Sequence, residues 1–176
     1  MNRDPSTVNQ TPTEVVQWRS REIPEALDAL VMPEDTYLLT QAMTEELDPD
    51  ATPFDLWVAL ERAARTEKHP VGSVMIAEGR SRGVKYIATV IVYDFEAERI
   101  CRRDIVRVGL RDALSELGKR GCDRVGIFPL GTMRGGISSE EYLDVIAEVA
   151  TRPGVEFPRT VYLLGRDSEP GEGAAR

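Results

Sequence analysis

The sequence predicts an α/β fold, a three-layer α/β/α sandwich around a mixed central sheet of about six strands. Three observations predict it. Short β-branched and aliphatic runs alternate with amphipathic helical segments along the chain. One run, residues 84–93 (VKYIATVIVY), is apolar almost throughout, as a central strand covered on both faces must be. The second half reads strand–helix–strand–helix–strand, which implies parallel pairing through right-handed crossovers.

Each element has its own signal. Residues 1–13 (MNRDPSTVNQTPT) are polar and contain proline, and read as a disordered arm. Residues 14–19 (EVVQWR) and 27–32 (LDALVM) read as strands. Residues 36–47 (TYLLTQAMTEEL) read as a helix. Thr52 followed by Pro53 marks the start of another, with Leu56, Trp57, Leu60, Ala63 and Ala64 on one face. Residues 73–78 (SVMIAE) and 84–93 are strands separated by a turn around Gly79 and Gly83. Residues 102–120 form an amphipathic helix that buries Val106, Leu110, Ala113, Leu114 and Leu117, and Gly121 ends it. Residues 124–129 (RVGIFP) are a strand. Ser138 and Glu141 make a capping box for a helix bearing Tyr142, Leu143, Ile146 and Val149. Residues 160–164 (TVYLL) are the last strand, and residues 166–176 read as a disordered tail. The folded domain is thus expected over residues 14–165, with no internal repeat.

Composition narrows the function. The chain has 176 residues, with Lys plus Arg at 22 and Asp plus Glu at 30, for a formal charge of −8. That balance lacks the basic footprint of a general nucleic-acid binder, so no nucleic acid is expected. No apolar run approaches the roughly 20 residues needed to span a bilayer, and the N-terminus has no signal-peptide core, so a cytoplasmic protein is expected. Two cysteines, Cys101 and Cys122, lack CxxC spacing and read as free, buried thiols. The single histidine, His69, precludes a multi-histidine metal site. Any serine triad would have to use it at a loop beside Pro70. The acids Glu45, Glu46, Asp48, Asp50 and Asp55 lack the spacing of a calcium loop and read as a solvated turn. Arg99, Arg102, Arg103, Arg107 and Arg111 are interleaved with Glu98, Asp104 and Asp112, as on a salt-bridged helix face. No metal and no cofactor is expected.

The sharpest feature is residues 128–138, FPLGTMRGGIS. A strand ends, three glycines follow within six residues, and a capped helix begins. Gly131, Gly135 and Gly136 let the backbone turn and approach a ligand closely. Amides of Leu130, Gly131, Thr132, Met133, Arg134, Gly135, Gly136 and Ile137 would then face a phosphate near a positive helix terminus. Arg134 would add charge. The spacing is neither a P-loop nor GxGxxG. A tight strand-to-helix turn without a ligand is the other reading of the same residues.

This stretch and its surroundings resemble a macro domain. Residues 101–141 are similar to that family's helix, strand, glycine-rich loop and second helix. Residues 70–94 resemble its strand–turn–strand unit, and residues 17–35 its opening. The resemblance implies a macro-like fold and binding of ADP-ribose or a related nucleotide. It places Glu22 where the family's adenine-contacting Asp stands, with the Ile23 backbone assisting. There are departures. The family's Asn-Ala-Ala-Asn positions read Met32-Pro33-Glu34-Asp35, and no glycine precedes Gly72, so the first glycine-rich loop is missing. The family's last helix has no counterpart in the sequence pattern either. Two other functions therefore stand beside the binder. One is an interaction or scaffold protein that kept the fold, with a protein partner or homo-oligomer. The other is an ADP-ribosyl hydrolase, which would need a carboxylate such as Glu34 or Asp35 to position water. No catalytic residue is assigned.

Overall fold

The computed structural model describes residues 13–18, 24–38, 68–79, 83–132, 136–151 and 156–165. Six strands and two helices are found among them: β1 (Glu14–Trp18), β2 (Ala29–Asp35), β3 (Val74–Glu78), β4 (Tyr86–Tyr93), α1 (Arg103–Lys119), β5 (Arg124–Ile127), α2 (Ser139–Ala150) and β6 (Thr160–Leu164). They build one six-stranded sheet in the order β1-β6-β5-β2-β4-β3. Only β3 runs against its neighbour; every other pairing is parallel. The mixed sheet and the α/β class are as the sequence predicts.

The period-two alternation of the strands sorts the core. Ala29 and Val31 of β2, Val125 and Ile127 of β5, and Val161 and Leu163 of β6 share one face with the buried sides of α1 and α2. Leu30, Leu164, Leu27 and Val84 form a second cluster, with Trp18, Met32, Ile87, Phe128 and Tyr162 packed against it. Trp18 is half-buried there, edge-on to Tyr162 at 6.0 Å, rather than fully enclosed. Both cysteines are buried and unpaired by disulfide, as expected.

Two expectations change. Of the run 84–93, Tyr86–Tyr93 form an apolar strand, but it lies one place in from the edge, and β5 and β2 occupy the middle of the sheet. Residues 36–38 form a turn after β2 rather than the first turn of a helix. Asp35 explains the turn, because its carboxylate accepts the backbone N–H of Tyr37 at 2.7 Å and its carbonyl that of Leu38 at 3.1 Å. The rest of the helix expected to residue 47, and the one opened by Thr52, lie outside the described residues, as do both tails.

Helix α1 ends as its sequence dictates. Gly121 has φ of 72° and donates its N–H to the Gly118 carbonyl, while Cys122 donates to Leu117. This closed glycine cap turns the chain back into β5. Asp28 then sets where β5 begins. One carboxylate oxygen accepts the N–H groups of Asp123 and Arg124 at 2.9 and 3.0 Å, and the other takes the Lys85 ammonium at 2.6 Å. The starts of β2, β4 and β5 are thereby tied together.

Candidate functional site

The ends of the parallel strands β2 and β4 lie side by side at Asp35 and Tyr93, β5 ends opposite Val31, four residues short of the end of β2, and the connections that leave all three open on one rim of the sheet. In open α/β sheets this is the edge that binds ligands.

The β5–α2 connection begins by prolonging the sheet. Phe128 donates its N–H to the Val31 carbonyl at 3.0 Å, which carries the β5–β2 pairing one residue beyond Ile127. Leu130 is fully buried and anchors the next step. Gly131 follows with φ of 74°, a conformation that favours glycine. A Cβ there would stand 2.7 Å from Cys101 Sγ and from Val106 Cγ2, so the loop backbone lies directly on the start of α1. Ile137, itself buried, donates its N–H to the Gly131 carbonyl at 2.8 Å and closes the loop. Thr132 and Gly136 are half-buried. Met133, Arg134 and Gly135 lie outside the described residues, as do Glu22 and Ile23.

The capping box at α2 is present. Ser138 Oγ accepts from the Glu141 N–H at 3.1 Å, and Glu141 Oε2 accepts from the Ser138 N–H at 2.8 Å. That backbone N–H holds the Glu141 carboxyl below its ordinary range. Two of the helix's N-terminal donors are therefore used internally, and a carboxylate already occupies the positive pole. An anion at this loop would have to draw mainly on amides ahead of Ser138.

Beside the loop, β2 ends in two acids that the sequence shows but does not place. Glu34 is 3% exposed and Asp35 1% exposed, at a register shift where Glu34 faces Ile91 and Asp35 faces Tyr93. Glu34 Oε2 accepts the Asp35 N–H at 3.0 Å. Thr36 is buried beside them. Its N–H reaches the Tyr93 carbonyl and its own carbonyl takes the His69 N–H, but its hydroxyl has no hydrogen-bond partner among the described residues. Two acids directly after an apolar strand are the only signal the sequence offers for this arrangement. His69 is thus held by its backbone in a connection, with no serine triad around it among the described residues.

The third connection, β4–α1, is tightly folded. Asp94 donates its N–H to Ile100 and Ala97 to Asp94, while the Asp94 carboxylate accepts from the Glu96 N–H. Lys68 bridges Asp94 and Glu96 at 3.0 Å each, and Tyr37 donates its hydroxyl to Glu96 at 2.6 Å. The hydrogen bond to Asp94, then that to Glu96, raises the Lys68 pKa to about 12. Of the arginines at and along α1, Arg102 pairs with Asp104, Arg103 with Glu148 and Arg111 with Asp112.

Asp28 does not join this rim. It lies at the opposite end of the sheet, committed to Lys85 and two backbone amides. An open hollow of about 480 Å³ lies at that end too, lined by Leu27, Glu78, Gly83, Val84, Lys85 and Tyr86, away from the loops. Among the described residues no helix is long and apolar enough to cross a membrane.

The chain has the macrodomain fold. It superposes on the macrodomain of Thermus aquaticus DarG with a TM-score of 0.56 and 19% identity, covering 88% of this chain and 98% of that one. For the Mycobacterium tuberculosis DarG macrodomain the TM-score is 0.60 at 15% identity, with 87% and 99% covered. The Oceanobacillus iheyensis macrodomain with ADP gives 0.54 at 15% identity, covering 80% and 77%. No known family's sequence profile matches the chain, and no curated protein matches it. The macrodomain likeness is therefore one of fold.

Proposed function

We propose that this macrodomain-fold protein binds ADP-ribose or a related nucleotide, with its diphosphate on the loop formed by Leu130, Gly131, Thr132, Met133, Arg134, Gly135, Gly136 and Ile137. The observation that carries the reading is the framed loop at the end of β5. Its base is fixed by the Ile137–Gly131 hydrogen bond and by Gly131 seated on α1. A base fixed in this way lowers the cost of ordering the loop on binding. Solved neighbours of this fold with ADP and with ADP-ribose support the ligand class. Arg134 pairs with a phosphate oxygen, and Glu22 with the Ile23 backbone receives the adenine.

Calorimetric titration of ADP-ribose, with AMP and inorganic phosphate as controls, tests this. Micromolar binding, about −8 kcal/mol, is the expected result. Arg134→Ala should weaken it and flatten its salt dependence, and Gly135→Val should abolish it. No heat at millimolar ADP-ribose sinks the reading. A scaffold that takes a protein partner instead would then stand, and the buried Glu34 and Asp35 beside the loop are the observation that favours it.

A further inference from the structure

We propose that Phe95 is a stacking platform for a flat aromatic ring carried on the sugar end of the nucleotide, a ring that is planar and cationic. This rests on the reading above that the diphosphate lies on the β5–α2 loop.

Phe95 is 48% exposed, yet it is not loosely placed. Its ring lies against that of buried Tyr93, with centroids 6.0 Å apart and planes within 8°. Tyr93 ends β4, and the turn that carries Phe95 is closed by the Asp94–Ile100 hydrogen bond. Glu96 next to it is clamped by Tyr37 and Lys68. A rigid aromatic surface loses little entropy when a second ring is laid on it.

Its position fits a ligand that starts on the β5–α2 loop. The same β4–α1 connection that carries Phe95 ends in Cys101, whose sulfur lies under Gly131. The Asp94 N–H donates to the Ile100 carbonyl at 2.8 Å, which folds the start of that connection, beside Phe95, back onto its end at Cys101. A sugar attached to a diphosphate on the Gly131 loop then points its far carbon toward the Phe95 turn.

Charge selects among flat groups. Three acids, Asp94, Glu96 and Glu98, lie within three residues of Phe95, against Lys68, which bridges Asp94 and Glu96, and Arg99. A second phosphate is repelled there, whereas a cationic ring gains both from the acids and from the aromatic face. ADP-ribose bearing a planar cationic ring is the oxidised nicotinamide dinucleotide, NAD+.

The test is calorimetry on the full chain with ADP-ribose, NAD+ and NADH, whose ring is uncharged. The expected result is that NAD+ binds about fivefold tighter than ADP-ribose or better, the lower end of a stacking contribution. NADH should lose most of that advantage. Phe95→Ala should erase it and leave ADP-ribose affinity within about twofold, while Phe95→Trp keeps it. NAD+ binding no tighter than ADP-ribose on the unmodified chain overturns the inference, and needs no variant to show it. Equal weakening of both ligands by Phe95→Ala also overturns it. If neither dinucleotide nor ADP-ribose binds, the nucleotide reading itself fails and this inference falls with it.

Discussion

At the scale of single residues, two side-chain positions carry testable consequences. Gly131 combines φ of 74° with no room for a side chain, since an added Cβ would meet Cys101 Sγ and Val106 Cγ2 at 2.7 Å. Gly131→Ala should therefore cost about 1–3 kcal/mol in urea denaturation, by backbone strain and overpacking together. Adding Cys101→Ala makes room for the methyl group, so the double variant should lose less than the sum of the singles. Strict additivity would show that the sulfur and the glycine do not meet. Asp28 makes the opposite kind of prediction. Its partial burial pushes its pKa up, but the Lys85 ammonium and the N–H groups of Arg124 and Asp123 outweigh that and lower it below 3.8. A lowered folded-state value means stability that is full above pH 3.8 and lost as pH falls through the folded value. Asp28→Asn should lower the melting temperature at neutral pH, and the gap to the unmodified protein should shrink below about pH 4. A gap that stays constant from about pH 7 to about pH 3 would remove Asp28 from that role.

At the scale of elements, helix α1 shows what the sequence discloses and what it withholds. Its apolar spacing at Val106, Leu110, Ala113, Leu114 and Leu117 predicts its buried face, and all five are buried. Gly121 marks its end, as the closed cap confirms. Period and caps are local properties, so they are legible. Gly118 is different. Within a helix, glycine to alanine ordinarily stabilises by about 1 kcal/mol. Here the added methyl would collide with the Glu156 carbonyl, a backbone atom that approaches from the segment before β6. Gly118→Ala should destabilise instead, by about 1–3 kcal/mol, with an unchanged denaturant slope. A stabilised variant would mean the two segments do not meet. No local pattern announces that contact, because it depends on where a distant segment returns. The same holds at the rim. The capping box and Gly131 are readable from spacing. The burial of Glu34 and Asp35 arises only once β2 and β4 are paired in register. The rank of β4 within the sheet is likewise unreadable from its hydrophobicity, which reports coverage of its faces and not its place in the order.

At the scale of the whole molecule, the two thiols report on the two ends of the sheet. Burial pushes the Cys101 thiol up to about 11, and burial likewise raises that of Cys122. At about pH 8 both are protonated as well as enclosed, so a thiol reagent should reach them only when the structure opens. Cys101 lies under the β5–α2 loop, whereas Cys122 lies at the start of β5 near Asp28 and Lys85. Ligand binding slows an opening by stabilising the closed form, by a factor that approaches 1 + [L]/Kd when the opened form cannot bind. An opening confined to the start of β5 leaves the loop intact and escapes that factor. In single-thiol variants, saturating ADP-ribose should therefore slow labelling of Cys101 far more than labelling of Cys122. Equal slowing would mean that both thiols open only with the entire domain, and the sheet is then one cooperative unit. No slowing at Cys101, with binding seen by calorimetry, would place the nucleotide away from the loop that Gly131 seats on α1.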